Sequence, residues 1–255
     1  MRMFKRNPAS IDTIPAAQVV CKKLSEFQAS DPKAAHGYDA LFANLELLSR
    51  TRPAKIILVT STQPEEGKST IALNLALTMM LHGKNVLLLD GDLRKPQLHR
   101  SLKLRNVPGL ADILSGAVGV QEAIQKVNVA SDSTAQVLTL NIIPSGKGPR
   151  ALFNPKGSTQ LHETFEYLRS FYDVILVDSP PILAVNDGLF FVPIVDAVLF
   201  VVHPGVVTEK DAKRAKERII QAGGHIAGAV MNRFTEGVHG EGYHPYDDHY
   251  MDAQQ

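Results

Sequence analysis

The sequence predicts an α/β fold: a doubly wound, mostly parallel sheet flanked by helices. Two observations carry this expectation: apolar runs too solid for a half-exposed sheet, and helical segments with end signals lying between them. The chain has 255 residues, 44% of them hydrophobic, enough for one large globular domain. Taken in order, residues 1–32 mix Lys, Arg, Asp, Ser and Pro with short apolar runs, and are expected to form a flexible N-terminal segment. From Tyr38, the residues Leu41, Leu45 and Leu48 recur at near-helical spacing and predict an amphipathic helix ending near Arg50, before Pro53. Six apolar runs then read as strands, at 55–60, 85–90, 140–144, 173–178, 197–203 and 226–232. Their Val, Ile and Leu content without polar alternation marks strands covered on both faces. Residues 69–82 read as a helix stopped by Gly83, and 208–222 as one opened by a Thr-x-x-Asp cap at Thr208 and Asp211 and closed by Gly223 and Gly224. The domain is thus expected to span 33–235. Residues 236–255 carry almost no aliphatic side chains and are expected to be a mobile tail.

Composition narrows the function. With 27 Lys and Arg against 26 Asp and Glu, a net charge of +1 supplies no broad field for nucleic acid or an anionic membrane. The single thiol, Cys21, cannot close an internal disulfide, and the basic start has no apolar stretch of the signal-peptide kind, so a cytoplasmic protein is expected. The longest apolar stretch, 189–202, contains Pro193 and Asp196 and falls short of the roughly 18 residues a spanning helix needs.

Chemistry concentrates after the strands. Thr60 to Thr70 places Gly67-Lys68-Ser69 between a strand and a helix, the layout of a phosphate-binding loop (P-loop, or Walker A). In it the backbone amides and the helix N-terminus receive phosphates, Lys68 reaches the β and γ groups, and the Ser69 hydroxyl binds Mg²⁺. Thr62 stands where the strict pattern has its first Gly. Thr70 reads as a first-turn helix residue, not a second metal ligand. The next strand ends in Asp90-Gly91-Asp92, followed by Arg94. Two carboxylates so spaced can share one hard cation, or divide the work so that one binds Mg²⁺ and the other accepts a proton. A third, Asp178, ends the apolar run 173–178 in the manner of a Walker B aspartate. Together with the loop, these point to phosphoryl transfer.

At these residues the sequence resembles the bacterial protein-tyrosine kinases (BY-kinases) of capsule and exopolysaccharide biosynthesis, over about Leu41 to Tyr250. The matches are Pro64 to Thr70, Asp90-x-Asp92-x-Arg94-x-Pro96 with His99, and Pro108-Gly109-Leu110-x-Asp112 with Leu114. Asp178 to Asp187, Gly228 to Arg233 and a terminal tyrosine cluster complete them. The resemblance implies a P-loop NTPase fold of the SIMIBI, deviant Walker type, and a magnesium-dependent, ATP-binding transferase active in autophosphorylation. It implies a nucleotide site formed by Gln63, Glu66, Gly67, Lys68, Ser69, Thr70 and Asn232, the last reading the adenine edge. It further implies a metal shell of Ser69, Asp92 and Asp178, and a catalytic set of Lys68, Asp90, Asp92 and Arg94, in which Asp90 orients or deprotonates the attacking phenol. Arg94 either stabilises charge or pairs with a nearby carboxylate.

Three of the six tyrosines, Tyr243, Tyr246 and Tyr250, fall in the last 13 residues. On this resemblance they are the phosphoacceptors, reached in trans by a second copy of the chain. His239, His244 and His249 lie among Asp247, Asp248 and Asp252, but a mobile tail seldom preorganises metal ligands. The basic face of Lys210, Lys213, Arg214, Lys216 and Arg218 reads as solvated surface. The family also implies a separate membrane-embedded chain-length or activator protein, which would place this chain at the inner face of the membrane. The family's Glu-x-x-Arg-x-x-Arg assembly motif is absent, its positions being His36, Asp39 and Phe42, which counts against a closed ring. The rival readings are a nucleotide-switched positioning ATPase and an ATP-bound scaffold. The first carries a signature Lys where this chain has Gln63.

Overall fold

A computed structural model describes residues 20–23, 32–130, 137–147 and 155–233. The chain runs β1 (Val20–Lys23), α1 (Pro32–Thr51), β2 (Ile56–Ser61), α2 (Lys68–Leu81), β3 (Val86–Asp90), then the short helices α3 (Leu98–Ser101), α4 (Leu110–Ser115) and α5 (Val120–Ala123). It continues through β4 (Gln125–Ala130), β5 (Val137–Ile143), α6 (Pro155–Arg169) and β6 (Val174–Asp178). Two 3₁₀ turns, Asp187–Phe190 and Val192–Ile194, lead to β7 (Ala197–Val202), α7 (Glu209–Gln221) and β8 (Ile226–Met231). The sheet order is β1-β4-β5-β3-β6-β2-β7-β8, and every pairing is parallel except β4 with β5. This is the doubly wound α/β architecture expected from the apolar runs.

Alternate residues of the central strands feed opposite layers. Ile56 and Leu58 of β2, with Leu87, Leu89, Ile175 and Val177, pack toward Phe165, Leu168 and Phe191. Ile57 and Val59, with Leu88 and Leu176, pack toward Ile71, Leu75 and Met79 of α2. Both faces are covered, so both residue parities must be apolar, which is why these strands read as unbroken runs. Helix α2 is buried from Ile71 through Met80. The helix α7 begins where the cap predicts, the Thr208 hydroxyl accepting from the Asp211 amide at 3.1 Å.

Two strands escaped the sequence reading. β4 alternates buried with half-buried residues and contains Gln125, Lys126 and Asn128, so it lacks a solid apolar run. β1 lies inside the segment expected to be loosely held, yet Val20–Lys23 pairs in parallel with β4 as an edge of the sheet. The expectation for residues 1–32 does not hold at these four positions, because an edge strand needs backbone pairing on one side only and no apolar pattern. Helix α1 starts at Pro32, ahead of Tyr38, since periodicity marks only the face that packs.

Candidate active site

The carboxyl ends of neighbouring strands β3, β6 and β2 bring the motifs together. Asp90 and Asp178 are register partners, and the Gly91 amide donates to the Asp178 carbonyl at 2.7 Å. The phosphate loop leaves β2 and ends at Gly67, whose φ of +87° needs a residue without a side chain. A Cβ at Gly67 would also collide with the Asn232 amide. No side chain caps α2, so its first-turn N–H groups stay open to an anion.

Strands β7 and β8 brace this loop from the other side. The buried Glu66 carboxylate accepts from the amides of Gln63 and His203, the latter at 3.1 Å. Burial raises its pKa, against the opposing pull of those amides and of His203. Asn232 Nδ2 donates to the Glu66 carbonyl at 2.8 Å. Gln63, Glu66 and Asn232 thus shape the loop, whereas Gly67, Lys68, Ser69 and Thr70 line a cleft of about 690 Å³.

The three carboxylates do different things. Asp92 stands on the cleft wall, its Oδ1 accepting from the amides of Arg94 (3.1 Å) and Lys95 (2.9 Å). Asp90 is fully buried behind it, Oδ1 accepting from the Asp92 amide at 3.1 Å and Oδ2 from the Leu98 amide at 3.3 Å. Burial, then the nearby Asp178, hold Asp90 well above the usual carboxylate range. Asp178 is pushed up to about 6 by burial, opposed by the Lys68 charge and a hydrogen bond from Ser69. Its Oδ1 is buried with no hydrogen-bond partner among the described residues.

That orphaned oxygen, beside Ser69 and Lys68 at an uncapped helix N-terminus, fits a nucleotide phosphate with its Mg²⁺. Among the described residues no three His, Cys, Asp or Glu side chains cluster as a metal cage. Mg²⁺ commonly relies on one or two carboxylates plus phosphate oxygens and water. Arg94, whose two readings the sequence left open, is bound by both oxygens of buried Asp187, Nε at 2.7 Å and Nη2 at 2.8 Å. Sequence reasoning missed Asp187 as this partner, and missed Lys95 and Arg233 as cations lining the cleft. Only the place of Asp187 at the end of the matched stretch Asp178 to Asp187 hinted at the first. Tyr243, Tyr246 and Tyr250, and the histidines among them, lie outside the described residues.

Truncating Asn232 tests the brace. Asn232→Ala removes one hydrogen bond to the loop, and a loss of about 1 to 1.5 kcal/mol raises the ATP KM roughly tenfold. Steady-state kinetics with ATP varied reads this directly, and an unchanged KM would remove Asn232 from the nucleotide site.

A strand-loop-helix phosphate cradle joined to strand-end carboxylates defines a P-loop nucleotide-binding protein built for phosphoryl chemistry. The family model described as an AAA domain matches residues 54–208. The tyrosine-protein kinase YwqD of Bacillus subtilis is 34% identical over 225 residues, covering 87% of this chain and 92% of YwqD. Among solved structures, the kinase domain of the Escherichia coli tyrosine kinase ETK superposes with a TM-score of 0.68 at 27% identity, over 82% of this chain and 80% of that one. The Pyrococcus furiosus cell division ATPase MinD gives 0.58 at 26% identity, over 71% and 73%. The chain belongs to the bacterial tyrosine-protein kinases and is an ATP phosphotransferase. The positioning ATPases share its architecture over a smaller part of its length.

Proposed function

We propose that this chain is an ATP- and Mg²⁺-dependent tyrosine autokinase that phosphorylates Tyr243, Tyr246 and Tyr250 of a second copy. The activity serves exopolysaccharide and capsule biosynthesis, as the family resemblance implies. The observation that carries the reading is the buried Asp178 carboxylate, which takes a hydrogen bond from Ser69 and feels the Lys68 charge while its Oδ1 is left unpartnered among the described residues. Ser69, Asp92 and Asp178 are the residues to hold Mg²⁺, which when bound would offset charge on the β and γ phosphates. The amides at the start of α2 and Lys68 orient the γ-phosphoryl group. In the transfer, the tyrosine oxygen bonds to the γ-phosphorus, the bond to the β-γ bridging oxygen breaks, and ADP leaves.

A phenol with a pKa of about 10 must also give up its proton. We assign that proton to the Asp90 and Asp92 pair. Asp92 faces the cleft, and Asp90 behind it binds a proton well above the usual carboxylate range. Asn232 is assigned to the adenine edge as well as to the loop. The domain boundaries at 33–235 and the tail at 236–255 stay part of this proposal.

Among the described residues no helix is long and apolar enough to cross a membrane. Members of the family work with a membrane-bound partner, and we place this chain at the inner face of the membrane through such an activator. The test is to incubate the full chain with ATP and Mg²⁺, with and without membrane extract, and to map phosphate by mass spectrometry. Phosphate on the three tail tyrosines is expected. ATP hydrolysis with no phosphotyrosine under either condition would favour the switch or scaffold readings.

A further inference from the structure

We propose that Arg218 of α7 is a positioning residue for phosphoryl transfer. It clamps the loop that follows β6 and, through Asp187 and Arg94, sets the place of Asp92 on the cleft wall. The assignment rests on the autokinase reading above and adds to it a control point outside the cleft.

Residues 210–218 read in the sequence as a solvated basic face, and Lys210, Lys213, Arg214 and Lys216 are exposed. Arg218 differs. It lies one turn beyond buried Ala215 and beside buried Ile219, is half-buried itself, and turns its guanidinium to the loop between Asp178 and Asp187. Nη1 donates to the Ile182 carbonyl at 2.6 Å and Nη2 to Asn186 Oδ1 at 2.5 Å. Among the described residues Arg218 forms no ion pair, so a full cation is committed to two neutral oxygens. A planar fork that takes two acceptors from one short loop holds the loop's shape as well as its place, which a single ammonium does less well.

What the loop carries gives the clamp its consequence. One end is tied to the strand below the phosphate loop, the Ile182 amide donating to the Ser61 carbonyl at 2.8 Å and the Leu183 amide to the Thr62 carbonyl at 3.2 Å. Further on, Ala184 and Val185 line the cleft, and Asn186 leads directly into Asp187. Buried Asp187 grips Arg94 through both oxygens, and the Arg94 amide in turn donates to Asp92 Oδ1 at 3.1 Å. From helix to cleft carboxylate the path is Arg218, Asn186, Asp187, Arg94, Asp92, each step a hydrogen bond or a peptide bond. Losing the first link leaves two acceptors without this donor and frees the Asp187 end of the loop to shift. A displacement of about 1 Å among reacting groups can cost about 10²-fold in rate. The groups that receive ATP, the α2 amides and Lys68, are not links in this path.

The experiment uses the full chain with ATP and Mg²⁺. Arg218→Ala is expected to lower the saturating rate of phosphotyrosine formation about 30-fold and to leave the ATP KM within about twofold. Arg218→Lys, which keeps the charge and loses the fork, stays about tenfold slow. Lys216→Ala, exposed on the same helix, changes neither quantity. Asp187→Asn is slow by itself, and adding Arg218→Ala slows it no further, because both break one path. Hydrogen exchange follows the path without catalysis. In Arg218→Ala the amides of Arg94 and Lys95, both held by Asp92, exchange about tenfold faster, while those of Ile71 to Met80 in buried α2 are unchanged. Unchanged exchange at Arg94 and Lys95, an unchanged saturating rate, a loss carried by KM alone, or losses that multiply with Asp187→Asn overturn the assignment and leave the autokinase standing. Faster exchange in a chain whose parent makes no phosphotyrosine keeps the clamp and removes the autokinase.

Discussion

Lys68→Met abolishes tyrosine phosphorylation, with an expected loss of about 10³-fold or more in kcat. Removing a single preorganised neutral donor to a developing charge costs about 10² to 10³ in rate, and Lys68 contributes a full cation at the helix N-terminus where the γ-phosphoryl group must sit. Among the described residues no ion pair holds Lys68, and its charge acts on Asp178. Methionine keeps the length and apolar stem of lysine, and Lys68 is only half-buried, so the fold should survive. Phosphotyrosine mass spectrometry on the variant, alongside a thermal melt matching the parent, separates a lost charge from a lost fold. Retained phosphate on the tail tyrosines would show that another cation serves the γ-phosphate.

Asp178→Asn is expected to do two opposite things: stabilise the ligand-free chain and disable it. A carboxylate whose pKa is raised from 3.8 to about 6 in the folded state makes that state bind more protons than the unfolded chain between those values. Stability therefore falls as pH rises through that window, and above it the buried charge costs on the order of 2 to 3 kcal/mol. Asparagine removes the charge while keeping the shape. At pH 8 the ligand-free variant is expected to melt several degrees higher, at about 2 to 4 °C per kcal/mol for a domain of this size. Near pH 4 that advantage disappears. Activity falls about 10²-fold or more, because the oxygen proposed for Mg²⁺ is now an amide. The parent should gain more melting temperature from ATP and Mg²⁺ at pH 8 than at pH 5, and the variant should gain little at either. A lower ligand-free melting temperature for Asp178→Asn at pH 8 would contradict a penalised carboxylate.

What could be read in advance followed local pattern, and what could not depended on distant contact. Strands β2, β3, β6 and β7 announce themselves because both sheet faces are covered and every position is apolar. β4 and β1 carry no such pattern, being partly covered or at an edge. The Gly67-Lys68-Ser69 loop and the strand-end aspartates were legible because their chemistry is packed into a few consecutive residues. The braces are not. Arg94 meets Asp187 across 93 positions, and Asn232 meets Glu66 across 166, with no periodicity to betray either. Spacing alone also cannot separate Asp90 from Asp92, since a carboxylate on the cleft wall and one fully buried behind it read alike in sequence.

Arg233 lines the cleft and directly follows the Asn232 brace. The proposed acceptors are therefore leashed to the rim of the cleft. Tyr243 is ten residues further on, and a fully extended chain of that length spans at most about 33 to 36 Å. Tyr246, three residues later, gains about 10 Å. A neighbouring copy is served only if its cleft comes within that radius, so dilution should silence the reaction unless something holds two copies side by side. Within the radius all three tyrosines arrive at comparable local concentration, and length cannot rank them.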